Sequence, residues 1–148
     1  MALEGIGISS SLATQISVQN PATSRGAVVL LGKATSVNMN SVAQTTIFTT
    51  PAVGGFTRCR VTKIVVGNIS AVCTTASFSF GQGGTPTDWA ATATYAGLTA
   101  VGKFVVIIPS SANGSVEITA TGINFVINVT IGQGVATTAD VEAFGAYE

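Results

Sequence analysis

Between residues 123 and 131 the chain alternates. Ile123, Phe125, Ile127, Val129 and Ile131 are apolar, Asn124, Asn128 and Thr130 are polar, and only Val126 is out of step. Successive side chains of an extended strand point to opposite faces, so this spacing gives one apolar and one polar face. A helix would scatter the same residues around its axis. The rest of the chain reads in the same way. Short segments rich in Val, Ile, Thr and aromatic residues are divided by Asn, Pro, Ser and many of the 17 glycines, the mark of strands joined by turns. The pattern predicts strands near 27–33, 45–49, 57–68, 75–81, 103–109, 115–120, 123–131 and 137–147.

Two of these carry further expectations. Phe104-Val105-Val106-Ile107-Ile108 is apolar on both faces, which predicts a central strand covered on each side. In 115–120, Val116, Ile118 and Ala120 should face inward and Glu117 and Thr119 outward, after a turn through Pro109-Ser110-Ser111-Ala112-Asn113-Gly114. Residues 82–99 break the rhythm and read as the longest connection, with Thr87 or Asp88 capping a short helical turn through Ala90-Ala91.

Residues 1–25 read as an extended N-terminal arm. Ile6, Ile8, Leu12, Ile16 and Val18 are too apolar for a free tail and predict docking, either on another chain or across the exterior of the domain. Residues 26–148 then form one all-β domain. About eight unevenly spaced strands suggest a jelly roll, a two-sheet sandwich in Greek-key order. An immunoglobulin-like sandwich fits less well, because the only tryptophan, Trp89, follows both cysteines instead of lying between them.

Composition restricts the chemistry. The chain has no histidine, so catalysis by Ser/His/Asp or Cys/His and His-based metal sites are excluded. Its 148 residues include six Lys and Arg against six Asp and Glu, and 47% are hydrophobic. A neutral, charge-poor chain lacks the repulsion that keeps copies apart and is expected in an assembly. With no basic excess to neutralise phosphates, nucleic acid is not expected as a partner. No apolar run approaches the ~20 residues of a spanning helix, so no membrane is expected either. Glu4, the lack of a basic n-region and the serines at 9–11 do not match a secretory signal.

The remaining candidate sites are few. A hairpin turning near Asn68-Ile69 would set Cys59 opposite about residue 78, out of register with Cys73, which predicts two free, buried thiols. Gly81-Gln82-Gly83-Gly84 lacks the Lys-Ser/Thr of a phosphate loop and reads as a turn. Asp140 and Glu142 share one strand face at a spacing compatible with a glycosidase pair, ~5–9 Å. On an exposed edge without aromatic walls, they read as a solvated face. Arg58 and Arg60 lie side by side on one face with Thr62, for solubility or for an interface. Trp89 and Tyr95 are the cluster able to form an exposed aromatic patch. No catalytic residue, cofactor or metal is expected.

A resemblance can be added to this reading. Thr45-Thr46-Ile47-Phe48-Thr49-Thr50-Pro51-Ala52-Val53-Gly54-Gly55, followed by Arg58-Cys59-Arg60-Val61-Thr62-Lys63-Ile64-Val65-Val66-Gly67-Asn68-Ile69-Ser70, resembles the small jelly-roll cement or decoration proteins of tailed bacteriophage capsids. Phe78-Ser79-Phe80-Gly81, Asp88-Trp89 and the closing segment from Thr138 to Tyr147 are similar to them as well. The turn after Pro51 has one residue more than their usual Pro-Ala-Gly, and residues 1–25 match no motif of theirs. The resemblance implies a protein on the outside of the head that clamps neighbouring capsomers, often as a homotrimer. Its partners would be the major capsid protein and itself, and it would be made in the host cytoplasm and found in the virion. Two alternatives stay open: a receptor- or glycan-binding sandwich of a phage tail, and a self-assembling shell or fibre subunit.

Overall fold

The structure, a computed structural model, describes residues 28–52, 55–110 and 117–148. Nine strands are present among them: β1 Val29–Asn38, β2 Ala43–Thr49, β3 Cys59–Gly67, β4 Ser77–Gln82, β5 Thr85–Thr94, β6 Val105–Ile107, β7 Glu117–Ile118, β8 Asn124–Ile131 and β9 Thr138–Tyr147. They form two antiparallel sheets. The first has the order β1-β9-β3-β6, with β7 also on β3, and the second has the order β2-β8-β4-β5. Both β6 and β7 run along the same side of β3, Ile64 facing Ile107 and Cys59 facing Ile118, so together they act as one interrupted edge strand. With that edge counted once, eight strands are divided four and four in the order of a jelly roll.

The alternation at the C-terminal end of the sequence produces the core directly. Phe125, Ile127 and Val129 of β8 are buried against Val61, Ile64 and Val66 of β3 and Val141 and Ala143 of β9 in one hydrophobic cluster. Aromatic rings fill the middle. Phe48 stacks on Phe125 at 5.4 Å between centroids, and Trp89 stands edge-on to Phe80 and Phe125 at 6.2 and 6.1 Å. Such edge and offset contacts add ~0.5–1.5 kcal/mol per pair beyond the buried area.

Several expectations are corrected. Residues 82–99 are not a long connection with a helical turn: Thr85–Thr94 is a strand, β5, paired with β4. Gln82 pairs with Thr85, leaving Gly83-Gly84 as a two-residue hairpin loop. The Asp88 carboxylate closes that hairpin, accepting from the Gln82 N–H at 3.0 Å, the Gln82 side-chain amide at 2.9 Å and the Thr85 hydroxyl at 2.9 Å. Strand β5 lies at the end of its sheet, and much of it faces solvent. It therefore needs little apolar character and tolerates Pro86.

The apolar run 104–108 also differs from expectation. Its ordered part, β6, is an edge strand and not a central one. Ala120, expected inward, is exposed, and so is Ile131 at the end of β8. Val116 lies outside the described residues. Strand β9, which carries Asp140 and Glu142, is interior to its sheet, between β1 and β3, and not an edge. Finally, β3 and β4 belong to different sheets, so no hairpin pairs them. Cys59 and Cys73 are nonetheless both free and buried, as expected, but they are set apart by the length of β3, which Cys59 opens and beyond whose far end, Gly67, Cys73 lies.

Candidate functional site

The outer face of the first sheet gathers most of the chain's charge and part of its exposed apolar surface. Register runs straight across it. Lys33 of β1 faces Glu142 of β9, Glu142 faces Val65 of β3, and Val65 faces Val106 of β6. Ile64 and Val66 flank Val65 and are buried, so Val65 and its row point outward.

At the β1 side of this face, the Lys33 ammonium lies 3.0 Å from Glu142 Oε1 and 3.3 Å from Asp140 Oδ2. Asp140 also accepts from the backbone N–H of Ser36 at 2.9 Å and from the Asn68 side-chain amide at 3.0 Å. Ser36 and Asn68 are the non-glycine residues with positive φ among those described, at 52° and 47°. One carboxylate thus fastens two left-handed corners, in the irregular part of β1 and just after β3. The Ser36 N–H, then the Asn68 amide, hold the Asp140 carboxyl below its ordinary range.

The second cluster holds both arginines singled out in the sequence. The Arg58 guanidinium pairs with Glu148 and lies 3.3 Å from Glu117, while Arg60 Nη2 lies 2.5 Å from Glu117. These contacts join β3, β7 and the last residue of the chain. The Arg60 hydrogen bond draws the Glu117 carboxyl below its ordinary range. Exposed pairs of this kind contribute little stability individually. Their consequence is that the arginines are engaged within the chain. Carboxylates with depressed pKa and filled hydrogen bonds are also poorly matched to proton transfer near neutral pH. Among the described residues no group of three or more His, Cys, Asp or Glu is placed to hold a metal.

The expected aromatic patch is corrected. Trp89 is fully buried, and its indole N–H donates to the Val61 carbonyl at 2.9 Å. Tyr95 is half-buried, stacked on Phe78 at 4.7 Å. The pair belongs to the core, since an indole with a backbone acceptor opposite it is most stable when dry. Ile6, Ile8, Leu12, Ile16 and Val18 lie outside the described residues.

A different surface is exposed at the edge of the first sheet. On β6 and its two flanking residues, Phe104, Val106 and Ile108 are 64%, 53% and 69% exposed, while Ile107 between them is buried. Alternation puts the three exposed side chains on one side. They form an apolar stripe along the open edge of the first sheet, which the all-apolar run already hinted at. Exposed Lys103 immediately precedes Phe104, and Lys63, whose ammonium sits 4.9 Å from the centre of the Phe144 ring, occupies the outer face near Ile108. Among the described residues, neither lysine has a carboxylate within ion-pairing distance.

Compared with protein-family models, with curated proteins and with solved structures, the chain matches none.

Proposed function

We propose that this chain is a structural subunit and not an enzyme: a cement or decoration protein on the outside of a tailed-bacteriophage capsid, bound to the major capsid protein and to copies of itself as a homotrimer. The observation that carries this reading is a jelly roll whose described carboxylates are all engaged inside the chain, while an apolar stripe remains on an open sheet edge. Such a body is built to adhere. Polar chemistry is turned inward to brace corners and strand ends, and what faces outward is surface that gains free energy when covered.

The mechanism is mechanical. A shell under internal pressure opens where capsomers meet, and a rigid sandwich across that seam adds buried area that must be lost before the seam parts. About 800 Å² per partner suffices for specific association, and repetition over many copies multiplies the effect. The glycan-binding alternative is weakened by the burial of Trp89, which removes its main aromatic platform.

The test is to add the purified protein to capsids that lack it and measure co-sedimentation and the temperature at which the heads break. Saturable binding at a fixed copy number with a raised rupture temperature is expected. Absence of binding at micromolar protein overturns the reading.

A further inference from the structure

We infer that the open β6 edge is the docking site for a segment of this same chain, Glu4-Gly5-Ile6-Gly7-Ile8, laid alongside β6 as an added strand. The inference stands apart from the capsid reading and rests on three observations about the edge and the sequence.

The first is the edge itself. Strand β6 ends its sheet, and no strand lies beyond it among the described residues. An unpaired edge offers a row of backbone donors and acceptors, and natural proteins protect such edges with charge, proline or a cover. This one instead presents Phe104, Val106 and Ile108, each more than half exposed. A run that is apolar on both faces fits a strand covered on both faces, and the described residues cover only the inner one.

The second is charge. Lys103 stands at one end of the stripe with no acidic partner among the described residues, while Lys63, one strand further in on β3, is turned to the Phe144 ring of β9. Of the six Asp and Glu in the chain, Asp88, Glu117, Asp140, Glu142 and Glu148 have partners already described. The remaining one is Glu4.

The third is spacing. Glu4, Ile6 and Ile8 recur at every second residue, as do Phe104, Val106 and Ile108, so one side of the added strand would continue the apolar stripe and carry an acid at its end. Gly5 and Gly7 bring no side chain to the other side. In either direction Ile6 meets Val106 at the centre, and when the segment runs parallel to β6 Glu4 lies beside Phe104, next to Lys103. The reach is ample. From β1 to β6 is three strand spacings, ~15 Å, and the nineteen residues 9–27 extend up to ~60 Å. The segment can therefore come from the same copy or from a neighbour.

The test uses the full chain with Val106→Cys, the native thiols being buried. Its labelling rate by a thiol reagent is compared with that of Val135→Cys, a position 58% exposed elsewhere on the surface. Labelling of Val106→Cys about tenfold slower is expected, with the protection lost when Ile6→Asp and Ile8→Asp are added. The double variant Ile6→Cys with Val106→Cys should form a disulfide, within one chain or between two, that Ile6→Cys with Val135→Cys does not. Equal labelling at the two positions, protection that survives Ile6→Asp and Ile8→Asp, or cross-linking no better than at Val135→Cys would each overturn the inference.

Discussion

The indole N–H of Trp89 donates to the carbonyl oxygen of Val61 at 2.9 Å, tying β5 of one sheet to β3 of the other through the middle of the core. Val61 sits where the pairing of β3 with β9 slips register, between Val61 and Lys63. The tryptophan therefore supplies a partner at a place where the ladder is irregular. Trp89→Phe would leave a buried carbonyl without this donor and a void beside Phe80 and Phe125. A loss of ~2–4 kcal/mol in urea unfolding is expected. A variant as stable as the parent would show that the bond is incidental.

Burial governs the two thiols. It pushes the Cys59 thiol up to about 12, and it does the same to the neighbouring Tyr147 hydroxyl. Both cysteines should resist alkylation at pH 8 in the folded protein and react fully in denaturant. A mass two daltons below that of the reduced chain would contradict the free-thiol assignment. The alkaline limb follows from the same burial. Because the folded protein holds these protons more tightly than the unfolded chain, stability is complete below pH ~9 and falls as pH rises toward about 12. A flat stability profile from pH 8 to 11 would contradict it.

In acid the sign reverses. Arg60 lowers the Glu117 carboxyl, and the Ser36 N–H lowers that of Asp140. The unfolded chain binds protons at these sites first, at pH ~4. Their contribution is therefore full above that pH and disappears as pH falls through the lower folded values. Asp140→Asn should flatten the acid limb of a stability-against-pH curve. An unchanged limb would mean that the Asp140 contacts carry no pH-dependent stability.

Several strand glycines leave no room for a side chain, and Gly145 is the clearest case. A Cβ on Gly145 of β9 would collide with the Arg60 carbonyl oxygen, whereas one on Gly84 in the β4–β5 hairpin would meet nothing within 4 Å. Gly145→Ala should cost ~2 kcal/mol or more, and Gly84→Ala should change stability by no more than ~0.5 kcal/mol. Equal effects at the two positions would contradict the register of β3 with β9.

Much of this fold is legible in the sequence because buried strands must alternate. Ile123 to Val129 declares β8 without help. Strand β5 is not legible in the sequence, because an edge strand needs no apolar face and its Thr and Ala residues resemble a loop. The run 104–108 misled in the opposite sense: apolar character on both faces normally means a central strand, and the sheet order alone reveals an uncovered edge. Residue types did not disclose that Arg58, Arg60, Asp140 and Glu142 are joined in ion pairs, since their partners lie far away along the chain. Residue type alone does not place Trp89, because an indole suits a binding patch and a core equally well. Its acceptor, a backbone carbonyl 28 residues away, leaves no mark in the sequence.

The proposed role, a subunit that associates in a fixed number and then binds a shell, is tested most directly by the mass of the purified protein under native conditions at micromolar concentration. The account predicts a discrete trimer, three copies of 14.8 kDa, with nothing larger. A monomer would contradict it, and open-ended polymers would point instead to a self-assembling shell or fibre protein.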